Sequence, residues 1–86
     1  MYTILIEKKV KKFLSRLDDK SYRIISNAIN KLSYFRELPN LDIKPLKGRY
    51  ENMMRMRVGS KRILFTLDEI KKEIKIWVIE DRGDIY

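Results

Sequence analysis

Three arginines near the middle of the chain have the spacing of an anion-binding surface. Residues 53–65 read Met-Met-Arg-Met-Arg-Val-Gly-Ser-Lys-Arg-Ile-Leu-Phe, so apolar and basic residues alternate on both sides of a Gly-Ser pair. Because successive side chains of a strand point to opposite faces, this alternation predicts a hairpin with one basic and one apolar face. Guanidinium groups held on one face suit phosphate, which they bind through paired hydrogen bonds.

The turn of this hairpin predicts its register. A two-residue turn with Gly59 first indicates type II′ geometry, which pairs Arg57 with Arg62 and puts Arg55 on their face. The apolar face then carries Met54, Met56, Ile63 and Phe65. Like charges opposite each other destabilise a sheet, so a bound anion would explain the pattern. The alternative is an ordinary solvated sheet face, where basic residues are common.

The first half of the chain predicts one strand and two helices. Residues 2–6 are rich in β-branched and aromatic residues, as strands are. Apolar residues at helical spacing predict a helix over 8–17 and a second that ends before Pro39. Asp19 or Ser21 is the expected cap of the second helix.

The second half predicts a loop and then three strands, at residues 38–48, 50–58, 62–67 and 74–79. Trp77 is expected to be core or half-buried. The apolar helix faces need a sheet to cover. The predicted fold class is therefore α+β, a two-layer β-α-α-β-β-β arrangement with the helical hairpin packed on one face of a mainly antiparallel sheet. Its other face is left open to solvent or ligand.

Composition narrows the class of function. The 86 residues fit one domain and carry a net charge of +8, which favours nucleic acid, an anionic membrane surface or an acidic protein as partner. The segment 44–62 concentrates this charge, with seven basic residues against one acid, Glu51. Cysteine and histidine are absent, so thiolate chemistry is excluded and we expect no metal and no other cofactor.

No part of the sequence predicts a membrane segment. No apolar run is long enough for a transmembrane helix, and the apolar stretch 2–6 is too short for a signal peptide. We therefore expect a cytoplasmic protein with no membrane partner.

The last five residues, Arg-Gly-Asp-Ile-Tyr, offer a second set of chemical groups. Arg82 adds a cation where the last predicted strand ends, and Tyr86 adds a ring for base stacking or a hydroxyl for proton transfer. A solvated tail is the alternative interpretation.

Three motifs together resemble the RelE/ParE toxin superfamily, most closely the RelE-type messenger-RNA interferases. They are Leu-Lys-Gly at 46–48, Arg-x-Arg-Val-Gly-x-x-Arg at 55–62 and Arg-x-x-Ile-Tyr at 82–86. The resemblance spans residues 1–86 as a single RelE-like toxin domain. It implies the toxin of a type II toxin–antitoxin pair, a ribosome-dependent endoribonuclease that cleaves messenger RNA in the A site. In such enzymes the 2′-hydroxyl attacks the adjacent phosphate and leaves a cyclic phosphate end.

The resemblance also implies partners. A cognate antitoxin protein neutralises the toxin, the ribosome and messenger RNA are its targets, and operator DNA is bound only through the antitoxin complex.

By motif position, the resemblance implies the catalytic set Arg55, Arg57, Arg62, Arg82 and Tyr86. Arg62 would stabilise the phosphate, Arg82 the leaving oxygen, and Tyr86 would stack on or orient a base. The wider RNA- and phosphate-binding set is Lys47, Arg49, Arg55, Arg57 and Lys61.

The proton acceptor is where this chain departs from its relatives. RelE has lysines at the positions of Arg55 and Arg57, and an arginine, which stays protonated at physiological pH, effectively cannot serve as a base. YoeB-like relatives use a Glu and a His, and this chain has no His. The possible bases are then the carboxylates Glu51, Glu80 and Asp81. The alternative is a route by charge stabilisation alone, in which the arginines stabilise the phosphate and the ribosome orients the 2′-hydroxyl.

Two other functions remain open. A ParE-type toxin has the same fold and inhibits DNA gyrase without catalysis, although such members generally lack the full set of basic residues and Tyr. A non-catalytic RNA-binding module would also account for the net charge, and its affinity would fall steeply with salt.

Overall fold

Two helices and five strands make up the described part of the protein, a computed structural model that covers residues 1–38, 40–46 and 52–81. The strands are β1 (Thr3–Ile6), β2 (Ile43–Pro45), β3 (Met54–Val58), β4 (Lys61–Asp68) and β5 (Glu73–Asp81). The helices are α1 (Lys8–Ser15) and α2 (Asp19–Leu32), with a short 3₁₀ helix at Phe35–Glu37.

The strands form one sheet in the order β1-β5-β4-β3-β2. β1 is parallel to β5, and every other neighbouring pair is antiparallel. Buried side chains of both helices pack with the apolar side chains of β3, β4 and β5 into one core. The two-layer α+β prediction is therefore confirmed, including its mainly antiparallel sheet.

The predicted loop over residues 38–48 was wrong in one respect, because it contains β2. This strand has three residues and lies at the sheet edge, where it pairs Ile43 with Met56 and Pro45 with Met54. An edge strand tolerates proline because one of its sides needs no backbone donor. Three residues are too short for alternation to be recognised, so the sequence gives no strand signal there.

Element ends also differ from expectation. β3 begins at Met54, not at residue 50, and residues 47–51 lie outside the described part of the chain. The cap of α2 is Asp18, whose carboxylate accepts a hydrogen bond from the Ser21 backbone N–H at 3.4 Å. This interaction with Ser21 favours the ionised form and holds the pKa of Asp18 below its ordinary value. Neither helix, nor any other within the described ranges, could cross a membrane.

The β3–β4 hairpin has the predicted register. Arg57 pairs with Arg62, and Met56 pairs with Ile63. Gly59 has φ of 61°, which glycine adopts at little steric cost and which type II′ turns require at this position. Met56 and Ile63 are 1% and 0% exposed, so the apolar face of the hairpin lies under the helices and its arginines face away.

A bulge interrupts the alternation of β5. Ile76 and Ile79 are both buried in the core although they are three residues apart, and the register with β4 shifts between them. The extra residue puts both Trp77 and Val78 on the face away from the helices, each 39% exposed. Trp77 is therefore not a core residue.

A polar cluster joins three elements at the far end of β4. The Tyr2 hydroxyl donates to Glu69, in the turn between β4 and β5, and accepts a hydrogen bond from Arg36 Nε at 2.8 Å. Arg36 also forms an ion pair with Glu69. These contacts fasten the start of β1 and the 3₁₀ helix to the turn.

This cluster predicts acid sensitivity of the fold. The Tyr2 hydroxyl, and then the Arg36 guanidinium, stabilise ionised Glu69 and hold its pKa below its ordinary value. A depressed carboxyl pKa adds stability that is fully present above the unfolded value and is lost as pH falls through the folded value. Urea unfolding between pH 7 and pH 3 should therefore show a smaller acid-induced loss of stability for Glu69→Gln than for wild type. Glu37→Gln, which removes an exposed carboxylate nearby, should behave like wild type; equal acid profiles for all three proteins would contradict the assignment.

Candidate active site

The sheet face turned away from the helices, called the open face below, carries the candidate site at its hairpin end. Arg57, Arg62 and Glu80 lie side by side across β3, β4 and β5, since Arg57 pairs with Arg62 and Arg62 pairs with Glu80. Directly opposite residues share a face. Two cations and one carboxylate therefore form a row on the open face.

Arg62 lies at the centre of this row. Its Nη2 donates to Glu80 Oε1 at 2.6 Å, and only 16% of its side chain is exposed. Its Nε is buried and finds no hydrogen-bond partner among the residues that the structure describes. A buried donor without a partner is uncommon in folded proteins. Glu80 offsets part of the repulsion between Arg57 and Arg62 and fixes the direction of the central guanidinium.

Arg57 is the accessible cation of the row. It is exposed, and it makes no ion pair within residues 1–38, 40–46 and 52–81. β2 pairs only with residues 54–56 of β3, so Arg57 lies beyond the end of the edge strand. Its guanidinium can reach an anion without breaking any ion pair that the described residues form.

Arg55 is on the same face but is already engaged. It is 7% exposed, and its Nη1 donates to Asp42 Oδ1 at 3.1 Å and to the Asp42 carbonyl at 3.3 Å. Leu64, opposite Arg55 on β4, is also buried. Binding an RNA phosphate through Arg55 would require its guanidinium to leave Asp42, so the geometry favours a structural role for it.

Lys61 and Asp81 lie on the other face of the sheet. Lys61 Nζ is 2.7 Å from Asp81 Oδ1 and 5.8 Å from the centre of the Phe13 ring on α1. Lys61, predicted to bind RNA, and Asp81, a candidate base, are thus held against the helix layer. Of the two adjacent carboxylates at the end of β5, Glu80 is the one beside the arginines.

The remaining predicted site residues are Lys47, Arg49, Glu51, Arg82 and Tyr86. All five lie outside the described residues, so their roles stay predictions.

Sequence reasoning missed two partners of the arginines. Asp42 lies in a segment read as loop, and no periodicity links it to Arg55. Glu80 was proposed only as a base, although β4–β5 pairing counted back from the turn would have placed it near Arg62, had the bulge at Trp77 been recognised.

The row can perform charge stabilisation and proton transfer. Two guanidinium groups stabilise the extra negative charge of a pentavalent phosphate, which is usually the largest catalytic contribution. The carboxylate of Glu80, with one oxygen held by Arg62, can accept a proton from a nearby hydroxyl.

Comparison with known proteins gives structural relatives. No family model and no curated protein sequence matches the chain. A chain of the archaeal RelE–RelB complex from Pyrococcus horikoshii OT3 is 28% identical over 95% of this chain and 96% of its own, with a TM-score of 0.79. A chain of the RelB–RelE antitoxin–toxin complex from Methanococcus jannaschii is 29% identical over 95% of this chain and 94% of its own, with a TM-score of 0.72.

A third solved structure supports the fold alone. A chain of the toxin–antitoxin complex RelBE2 from Mycobacterium tuberculosis is 18% identical over 94% of this chain and 98% of its own, with a TM-score of 0.79. All three relatives are covered nearly end to end, so the similarity extends over helices and sheet together.

Proposed function

We propose that the chain, which shares the fold of RelE-like toxins, is a member of the RelE/ParE toxin superfamily and the toxin of a type II toxin–antitoxin pair. Its proposed activity is ribosome-dependent cleavage of messenger RNA in the A site. This cleavage takes place in the cytoplasm and inhibits translation. The observation that carries the proposal is the row of Arg57, Arg62 and Glu80 on the open face.

The proposed reaction is an in-line transfer at one phosphate. Glu80 accepts the proton of the 2′-hydroxyl, the 2′-oxygen forms a bond to phosphorus, and the bond from phosphorus to the 5′-oxygen breaks. The products are a 2′,3′-cyclic phosphate and a 5′-oxygen that takes a proton from solvent. Arg57 and Arg62 stabilise the charge on the phosphate oxygens, and Arg82 is assigned to the leaving oxygen. The ribosome orients the nucleophile, a positioning effect.

The proposed protein partner is a cognate antitoxin. The archaeal relatives were solved in RelE–RelB complexes, and the net charge of +8 favours an acidic protein that covers the basic face. Binding of operator DNA is assigned to the antitoxin complex, not to this chain alone.

Cleavage in a reconstituted translation system tests the proposal. Purified toxin added to ribosomes stalled on a defined message should give primer-extension stops in phase with the codon in the A site. The same message without ribosomes should remain intact. Uncut message in translating ribosomes would refute the proposal, and inhibition of gyrase supercoiling by the same toxin would then identify a ParE-type activity.

A further inference from the structure

Trp77 occupies an unusual position on the open face. The bulge in β5 turns it out of the core, and 39% of the residue is exposed. A large apolar ring is normally buried where a core is available. The backbone of this strand instead carries an extra residue that presents the ring on the face of the arginine row.

The indole is held in a fixed orientation. Its Nε1 donates to the Thr66 hydroxyl at 2.8 Å, so the polar edge of the ring is satisfied. Lys75 Nζ lies 4.1 Å from the ring centre, within cation–π distance. Lys75 is also 3.6 Å from Glu7 Oε2, a partly exposed pair of the kind that contributes little. The ring is therefore oriented by its neighbours and needs no ligand to hold it.

The position of Trp77 fits a nucleic-acid path that starts at the arginine row. Thr66, under the indole, is four residues along β4 from Arg62, or roughly 13 Å at about 3.3 Å per residue. That distance spans about two to four nucleotides of one strand, since stacked neighbours are about 3.4 Å apart and extended ones further. Exposed Arg57 and partly exposed Lys75 put positive charge at both ends of this path.

We propose that Trp77 is a stacking position for an unpaired base of single-stranded RNA whose backbone also meets Arg57 and Arg62. Aromatic rings bind bases of any identity because every base has a π-face, and a neighbouring cation compensates the phosphate. The position sets where the strand lies on the open face and carries little sequence preference. The inference rests on the proposed function for the identity of the RNA, but stacking itself is measurable without ribosomes or cleavage.

Trp77 is the single tryptophan of the chain, so its own fluorescence reports the contact. Titration of the purified toxin with a hexamer of adenylate at low salt should quench the emission with saturation. Tripolyphosphate at matched ionic strength supplies the same kind of charge without bases and should leave the emission nearly unchanged. Equal quenching by tripolyphosphate, or binding of the hexamer without quenching, would overturn the proposal.

Variants extend the test to affinity, measured by anisotropy of a labelled adenylate hexamer. Trp77→Ala should weaken binding about 5- to 150-fold, the range set by stacking of one base on one ring, and Trp77→Phe should recover most of the loss. Tyr22→Ala removes a more exposed aromatic residue from α2 and should bind like wild type. Thermal unfolding of each variant shows whether a loss of binding comes from loss of folding.

The two proposals fail in different experiments. If the toxin cuts message on ribosomes but Trp77→Ala binds the adenylate hexamer with wild-type affinity, the stacking site is overturned and the enzyme assignment stands. If the hexamer quenches the Trp77 emission but the toxin cuts no message, the enzyme assignment is overturned and the stacking site stands. No binding of the hexamer by wild type at low salt would overturn the stacking site alone.

Discussion

Arg62→Ala should lower the single-turnover rate of message cleavage on the ribosome by about 10²–10³-fold, the loss typical when one preorganised donor to a developing charge is removed. Arg62 is the central cation of the row, is largely enclosed and is aimed by Glu80. A group fixed in this way stabilises the transition state without reorganising. Its removal should therefore act on the chemical step more than on binding.

The matched control is Arg23→Ala, which deletes an exposed arginine from α2 and changes the net charge equally. It should cut at nearly the wild-type rate if position, not overall charge, is what matters. Arg62→Lys keeps the charge but loses the planar guanidinium, which makes two parallel hydrogen bonds to phosphate. Its cleavage rate should therefore fall between those of Arg62→Ala and wild type. A small, uniform loss of RNA binding without a change in the cleavage step would instead indicate a plain phosphate clamp.

A folding artefact can be separated from a catalytic loss. Arg62→Ala leaves Glu80 without its guanidinium partner, and an unpaired, partly buried carboxylate lowers stability. The double variant Arg62→Ala with Glu80→Gln removes that unpaired charge. It should unfold at a higher urea concentration than Arg62→Ala, but because it also lacks the proposed base it should cut no faster. If Arg62→Ala is still folded at the assay temperature, its slow cleavage comes from the chemical step. Faster cleavage by the double variant than by Arg62→Ala would contradict the role of Glu80 as the base.

The hairpin was predictable because two independent signals agree. The Gly59-Ser60 turn fixes the pairing, and the alternation of Met56 and Arg57 fixes the faces, so a slip by one residue would bury the arginines. The partners of the arginines were not predictable, because they come from contacts between segments distant in the chain. Asp42 reaches Arg55 from a segment without periodicity.

The bulge explains the remaining error. Alternation counted through β5 from Ile74 keeps Ile76 inside and predicts Val78 inside as well, whereas Val78 is outside and Ile79 is inside. One extra residue moves each later side chain of the strand to the opposite face of the sheet from the one that simple alternation predicts. It thereby puts Glu80 beside Arg62 and Asp81 beside Lys61, which the sequence alone could not decide.

Because Glu80 and Asp81 lie on opposite faces of the sheet, their candidacy as the base can be tested by replacing each in turn. Glu80→Gln should lower the cleavage rate about 10²–10⁴-fold, the usual contribution of a positioned acid–base group. The amide keeps the size of the side chain and can still accept the hydrogen bond from Arg62, so the row should stay in place. RNA affinity should stay equal or rise, because a negative charge leaves the phosphate-binding face.

Asp81→Asn is the matched control, since it makes the same chemical change one residue away on the opposite face of the sheet. It should cut like wild type. An unchanged rate in Glu80→Gln would exclude it as the base and leave Glu51, the other predicted carboxylate, as the group to replace. Equal losses in both variants would mean that strand pairing at the end of β5, and not a proton acceptor, limits the reaction.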